Sequence, residues 1–562
     1  MAVLASNMAR ANKAIRASGQ YNFKGCRIQV PSRFKFGFLE AELEDYKDKE
    51  IISLLKYGCP IGYAGGQLKR EFCINHKGAR DFPRDVDEYL DKETSAGAII
   101  GPFQNSSLDI EVVVSPLNTC PKKDTTERRI IGDLSFPKKN PHLSVNGGID
   151  KYSYLGEKVN LRYPSISDLV HMVIKKGPGC ALYKRDLRRA YRQIPVDPGD
   201  LQFLVYKWKG ALYVDCALVM GLRSAALNCQ RLTNAVSHIL KKKGVDVVNY
   251  LDDIAGAESW NKADRAFRLL GVILQQCGIE ESVAKACAPN TKMVFLGILV
   301  DTVAMSLEIT KDRLQDIIAE LQLWKSKVWA TKREVQSLVG LLQFVASCVS
   351  PGRIFISRML NFLRECPEVG KKEIPAEFLQ DIHWWVTFLP KYNGISLIPE
   401  LNWSDPDAEI ACDACLEGAG GWRAGEYFHV EFPEFIKQQN LHINALEMIT
   451  IIVALKVWAR GLTRKRIVMH CDNLSTVVVL TTGRARDRFL QACLRELVYL
   501  QAQYNFRLKM LHIRGEENRK PDLLSRWSLG DRYRKEFFTQ YGSEIVREVY
   551  VYEGLFEFTH DW

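Results

Sequence analysis

Two adjacent carboxylates, Asp252 and Asp253, follow Tyr250-Leu251 and sit between the strand-like runs Val245 to Val248 and Ile254 to Gly256. The pattern reads as strand, turn, strand, with both acids at a hairpin tip where they repel unless cations lie between them. A second strand-like run, Ala181-Leu182-Tyr183-Lys184-Arg185, ends in a third acid, Asp186. Three carboxylates from two strands can hold two Mg²⁺ about 4 Å apart, one lowering the pKa of an attacking hydroxyl and the other clamping a triphosphate and its departing pyrophosphate. Each motif alone has a bland explanation, because Asp-Asp turns and strand-end acids are ordinary surface features.

Four more acids recur in the C-terminal third: Asp413 in the strand-like Ala408 to Cys415, Glu447 on a helix Asn444 to Ala459, Asp472 after the strand Ile467 to Cys471, and Asp522 opening a helix after Asn518. Acids brought from separate elements to one sheet edge form a second two-metal arrangement, suited to activating water. Cys412 and Cys415 make one C-x-x-C with no second pair to complete a zinc site.

The elements that position these acids alternate in character. Residues 1 to 85 form a basic-then-acidic lead with expected turns at Gly62, Gly65-Gly66 and Gly78; a charged helical stretch from Asp87 then leads through Gly97 and Gly101-Pro102 to an alternating strand, Ile110 to Val114. Leu314, Ile317, Ile318 and Leu321 repeat on one helical face, Thr331 and Glu334 form a capping box for a second helix, and Pro351-Gly352 ends it. From about 405 strands return, with Gly418 to Gly421 read as a tight turn.

Taken together and in order, Asp186 with Tyr191, Met220-Gly221-Leu222-Arg223-Ser224, Tyr250 to Asp253, and Phe295-Leu296-Gly297-Ile298 resemble the palm motifs of reverse transcriptases. Pro121-Lys122-Lys123-Asp124 and Arg128 to Ser135 resemble that family's fingers. The set Asp413, Glu447, Asp472, Asp522, with Gly418-Ala419-Gly420-Gly421-Trp422 and the stretch His512 to Arg526, resembles the ribonuclease H of retroelements. The resemblance implies an α+β chain: a right-hand polymerase (fingers, palm, thumb) followed by a ribonuclease H-like α/β domain with a mixed five-stranded sheet. Its implied parts are an extension of unknown role at 1–85, fingers and palm at 86–305, a helical thumb at 306–365, a connection at 366–404, the nuclease at 405–530 and a tail at 531–562.

By position, the resemblance makes Asp186, Asp252, Asp253 and the Leu187 carbonyl metal ligands, and Asp413, Glu447, Asp472 and Asp522 a second set. Mg²⁺ is the implied ion at each, two per site, with Mn²⁺ as a substitute. Lys122 and Arg129 would grip the triphosphate, joined by Met220 and Gly221, and Tyr191 would lie under the sugar and exclude a 2′-hydroxyl. Leu296-Gly297 would hold the primer terminus, and His512 would aid product release. Without the motif, Tyr191 reads as a core aromatic and His512 as a strand-end histidine. Arg189 stands where an acid is common in the family and Val219, Ala225 and Ala226 replace a Pro and a Ser-Pro, so nucleotide affinity is more in question than chemistry; at Arg189 the backbone N–H is the expected phosphate contact.

The implied partners are an RNA template, a DNA or RNA primer, dNTPs and the RNA:DNA hybrid, and Arg464-Lys465-Arg466, Arg484, Arg486 and Arg488 are candidate backbone contacts. Tyr213-Val214-Asp215 ahead of the Met220 motif is most similar to DIRS-like elements, with gypsy-like elements next. Coat or recombinase proteins of the same element are further expected partners. The alternative is a domesticated binding protein that keeps the fold without the chemistry; an RNA-templated RNA polymerase is disfavoured by Tyr191 and by a nuclease whose substrate is a hybrid.

Composition agrees with these classes and decides little. The 562 residues are 47% hydrophobic with a net charge of +11, enough for roughly three to five units of ~100 to 200 residues and suggestive of a polyanionic partner. No run approaches the ~20 apolar residues of a membrane helix, and the fifteen cysteines lack paired spacing, so an intracellular protein, cytoplasmic or nuclear, with reduced thiols is expected.

Overall fold

The computed structural model describes residues 29–104, 111–122, 126–348, 350–391, 396–397, 405–483, 485, 487–560 and 562. The chain is mixed α+β and divides into two compact units, one of residues 1–176 and 180–293, the other of 177–179 and 294–562.

In the first unit, an antiparallel sheet runs in the order Cys287–Asn290, Ala181–Asp186, Asp253–Glu258, Val248–Tyr250. Helices Ile166–Lys176, Ala225–Lys242 and Trp260–Cys277 pack on it. Their apolar residues fall at helical spacing: Ala263, Ala266, Leu270, Ile273, Leu274 and Cys277 are buried on the last of them. Gly278 ends that helix at φ +78, where a Cβ would stand 2.0 Å from the Arg33 carbonyl oxygen, so both the left-handed backbone and the close approach require glycine. A second sheet (Ile99–Phe103, Ala211–Asp215, Val205–Trp208) and the hairpin Leu117–Pro121/Arg128–Gly132 complete the unit with helix Pro83–Ser95.

Three local expectations are corrected here. Gly78 is inside the helix Lys77–Asp81, not in a turn. The strand after the charged helix is Ile99–Phe103 itself, containing Gly101-Pro102. Val113 and Val114 make only isolated bridges, to Arg70 and Val205, because their partners each meet them at a single residue; Ile110 lies outside the described residues.

The second unit opens with the sheet Lys292–Phe295, Ile298–Asp301, Ser306–Ile309, Ser396–Leu397 and continues through helices Lys311–Lys325, Lys332–Cys348 and Ala376–Phe388. Thr331 and Glu334 form their capping box: the Thr331 N–H donates to Glu334 Oε2 at 2.7 Å, and the Glu334 N–H donates to Thr331 Oγ1 at 3.3 Å. Phe355 and Trp384 stack at 3.8 Å among these helices.

Its larger sheet has six strands, in the order Arg507–His512, Arg466–Cys471, Ala408–Ala414, Gly418–Arg423, Glu426–Glu431, Arg547–Glu548. The expected five-stranded sheet thus gains a short sixth strand, parallel to its neighbour and drawn from 531–562. That stretch is not a tail beyond the domain, since Val551 and Phe556 are buried in the core of this sheet. Gly418 to Gly421 are strand residues rather than a turn. Small residues are needed because helix Arg519–Ser525 lies directly on the strand: a Cβ at Gly420 would meet Leu524 Cβ at 2.5 Å and the Ser525 nitrogen at 2.6 Å. A glycine run signals a tight turn locally, but at Gly420 it serves close approach. Among the described residues no helix is long and apolar enough to cross a membrane.

The two uses of glycine predict opposite outcomes for one substitution. Gly340, inside helix Lys332–Cys348, has nothing within 4 Å of an added Cβ. Gly340→Ala should raise the stability of the second unit by about 0.4–1 kcal/mol, while Gly420→Ala should lower it by about 1–3 kcal/mol, read as opposite shifts in thermal unfolding.

Two candidate carboxylate centres

The first centre is built by strand register. Asp186 and Asp253 are direct partners on adjacent antiparallel strands, and Asp252 occupies the two-residue turn before Asp253. Leu251 holds that turn at φ +52, a conformation a leucine adopts only when its surroundings enforce it. The buried Gln230 side chain does so: its amide donates to the Asn249 carbonyl at 2.8 Å and its oxygen accepts from the Leu251 N–H at 2.8 Å. The Leu187 N–H donates to the Asp252 carbonyl at 2.8 Å, tying the end of one strand to the tip of the other.

Burial raises the pKa of both Asp252 and Asp253, and the neighbouring acids add to the rise. Two lysines partly relieve the crowding: Lys184 Nζ lies 3.3 Å from Asp253 Oδ1, and Lys285 Nζ lies 3.2 Å from Asp186 Oδ1. Lys184 precedes Asp186 by two residues on the same strand face, a signal visible in the sequence; Lys285 comes from a distant turn and is not. Hard oxygen donors with ammonium groups standing where positive charge is wanted fit divalent cations.

A cleft of about 600 Å³ beside these acids is lined by Lys122, Arg129, Asp186, Leu187, Tyr191, Met220, Asp252 and Lys285. It therefore brings together most of the residues that sequence assigned to metal and nucleotide. Tyr191 is half-buried and Met220 exposed. Lys122 is ion-paired with Glu127. Lys123 and Asp124 lie outside the described residues. Gly221 borders the same turn at φ +94, where Asn146 braces it by donating to the Gly221 carbonyl at 2.8 Å and accepting from the Arg223 N–H at 2.9 Å. The Arg189 side chain points instead to Glu93, a partner the sequence did not suggest.

Leu296 and Gly297 belong to the second unit, in the two-residue turn between Lys292–Phe295 and Ile298–Asp301. Their φ values are +50 and +79, as a tight hairpin of this twist demands.

Among the described residues, no lysine pairs with the acids of the second centre. Asp413 lies near the end of strand Ala408–Ala414, Glu447 projects from helix Ile443–Trp458, Asp472 follows strand Arg466–Cys471, and Asp522 stands on helix Arg519–Ser525. Ser525 Oγ donates to Asp413 Oδ2 at 2.6 Å, and Cys471 Sγ lies 3.9 Å from Glu447 Oε2. Ligand atoms of Glu447, Cys471 and Asp472 fall within 4.8 Å of one another. Cys471 was missed because a strand-end cysteine reads as core. Asp522 is held by Arg519 and Arg526, each at 2.7 Å. His512 ends its strand exposed, with Nε2 3.1 Å from the Asp472 carbonyl oxygen.

Burial, reinforced by neighbouring acids, raises the Asp413 carboxyl to about 7 and Glu447 to about 9. Among the described residues, Asp413 beside the Ser525 hydroxyl, and Glu447 beside the Cys471 thiol and the Ala414 backbone N–H, have no cationic partner as close as those of the first centre, a poor end-state for buried acids and a good one for a hard cation. Of the basic candidates for backbone contact, Arg466 is tied to Asp407 at 3.1 Å, and Arg484 and Arg486 lie outside the described residues.

No protein-family model matches the chain, and no curated protein does. Among solved structures it is similar to a foamy viral protease-reverse transcriptase, dRH, in complex with dsDNA, with a TM-score of 0.45 and 15% identity over 89% of this chain and 85% of that one. Another foamy viral protease-reverse transcriptase with dsDNA gives a TM-score of 0.44 and 15% identity over 87% and 98% of the two chains. A complex with RNA/DNA hybrid gives 0.42 and 14% over 88% and 65%.

The acid pKa values predict a metal-linked stability. Asp413 and Glu447 bind protons more tightly folded than unfolded, so stability of the metal-free chain is lost as pH rises from the ordinary carboxyl values of 3.8 and 4.5 through about 7 and about 9. Thermal unfolding with EDTA should show that fall, and Mg²⁺ should restore more at pH 8 than at pH 5; a Mg²⁺ effect independent of pH would contradict the assignment.

Proposed function

We propose that the chain is an RNA-directed DNA polymerase with ribonuclease H activity, encoded by a retroelement of the DIRS-like kind or, next, a gypsy-like one. The observation that carries the reading is the cleft of the first unit, where the acids Asp186 and Asp252, the cations Lys122 and Arg129, and Tyr191 line one wall-to-wall space. Those residues come from three separate stretches of sequence, and it is their joint placement that favours a nucleotide site over a basic surface.

In this reading Asp186, Asp252, Asp253 and the Leu187 carbonyl hold divalent cations. When bound, such ions supply neutralisation of triphosphate charge and acidify the primer hydroxyl. Lys122 and Arg129 bind phosphate oxygens, with Arg129 suited to bidentate contact. Tyr191, half-buried beneath the cleft, supports the sugar and leaves no room for a 2′-hydroxyl. Met220 lines the same cleft with Gly221 next to it in sequence, and the resemblance gives the Leu296-Gly297 turn to the primer terminus. The parts correspond to fingers, palm and thumb within 86–365.

Asp413, Glu447, Asp472 and Asp522 hold the second set of ions, for hydrolysis of RNA in the hybrid. Burial raises both the Asp413 and the Glu447 carboxyl, so these residues would hold ions better, and activity at this centre should increase, as pH rises. His512, exposed beside Asp472, is placed to move toward product.

Separation of the two activities tests the proposal. With Mg²⁺, a DNA-primed poly-rA template and dTTP, the chain should extend the primer; Asp252→Asn should lose at least about 10³-fold in extension while cutting RNA:DNA hybrid normally, and Asp472→Asn should do the reverse. Loss of both activities in either variant would refute two independent centres. Tight hybrid binding with no extension by the unaltered chain would favour the domesticated binder.

A further inference from the structure

Tyr191 is flanked by two arginines whose guanidinium groups reach one buried carboxylate. Arg189 precedes and Arg192 lies within the one-turn helix Ala190–Gln193 that carries Tyr191. Arg189 Nη1 donates to Glu93 Oε1 at 2.8 Å, and Arg192 Nε donates to Glu93 Oε2 at 3.0 Å. Glu93 comes from helix Pro83–Ser95, and its side chain is 4% exposed. Arg192 also pairs with Asp215, at the end of strand Ala211–Asp215, at 2.5 Å with the carboxylate fully buried. Two acids face two guanidiniums away from water, and each side chain is held in one geometry by the others.

Such a group is a poor way to stabilise a fold, because an apolar replacement of the same volume serves as well. It is a good way to fix a segment. Glu93 divides its two oxygens between residues on either side of Tyr191, so helix Pro83–Ser95 restrains the turn from both ends. Arg189 is held at φ +50 in the process. Glu93, Arg189 and Arg192 all line the cleft that Tyr191 lines. None of the four charged residues is among the metal acids.

We propose that Glu93, through Arg189 and Arg192, is a positioning residue that sets the height of Tyr191 in the cleft and so determines selection of deoxynucleotides over ribonucleotides. The inference rests on reading the cleft as the nucleotide site. Asp215 is the outer anchor of the same clamp. Loosening it lets the Tyr191 ring drop, which weakens support of the deoxyribose and makes room for a 2′-hydroxyl at the same time.

The test is single-nucleotide extension of the DNA-primed poly-rA template by the full chain, with dTTP and with UTP, in Glu93→Gln and Arg189→Gln. Glu93→Gln should raise KM for dTTP about tenfold, leave kcat within about twofold, and lower the dTTP-to-UTP ratio of kcat/KM about tenfold. Arg189→Gln, which keeps the Arg192–Glu93 pair, should move the same quantities by a smaller factor. A merely structural role reduces the fraction of active enzyme, which lowers kcat for both nucleotides together and leaves KM and the ratio unchanged; that result overturns the proposal. If Glu93→Gln does not fold, Arg189→Gln decides, because its partly exposed side chain leaves the buried Glu93–Arg192–Asp215 chain intact. Failure of the unaltered chain to extend with dTTP would overturn the reading of the cleft itself, whereas an unchanged ratio in an active variant overturns only the clamp.

Discussion

Like charges held together in a low-dielectric setting dominate this molecule. Asp186 and Asp253 face each other across neighbouring strands with Asp252 beside them, and Asp413, Glu447 and Asp472 converge at the edge of another sheet. Each arrangement is unfavourable without positive charge, so rigid elements have to impose it. Strand pairing does this in the first unit, because register leaves Asp186 and Asp253 no alternative positions. In the second unit a helix buried on nearly every face, Ile443–Trp458, brings Glu447 to the sheet edge.

The two centres answer the same constraint differently. The first has Lys184 and Lys285 against its acids, and Asp252 and Asp253 keep a raised tendency to hold protons. Among the described residues the second has arginines paired with Asp522, and its Asp413 and Glu447 carboxyls are pushed up to about 7 and about 9. Ions should therefore bind the second centre with greater release of protons than the first. The surroundings follow the same logic at one remove: Gln230 stabilises a strained turn, Asn146 braces the Gly221 turn, and Glu93 restrains Tyr191.

Much of this was legible in sequence because it depends on short periods. The strand Ala181–Asp186, the hairpin at Tyr250 to Asp253 and the Thr331–Glu334 cap are local patterns, and each occurs where alternation or capping chemistry indicates. What was not legible depends on distant partners. Lys285 meets Asp186 across 99 positions, Glu93 meets Arg189 across 96, and Ser525 meets Asp413 across 112. The Gly418 to Gly421 misreading has the same origin: glycine signals a turn locally, whereas here it admits a helix from a hundred residues on. Residues 531–562 read as a tail from sequence alone, yet Phe537 and Phe556 are buried.

Both sets of acids are expected to be cation sites. Crystals of the chain with a primer–template, grown with Mn²⁺, would locate the ions by anomalous scattering. The account predicts anomalous peaks at Asp186, Asp252 and Asp253 and at Asp413, Glu447, Asp472 and Asp522. Protein crystallised with Mn²⁺ that binds nucleic acid but shows neither set of peaks would contradict it.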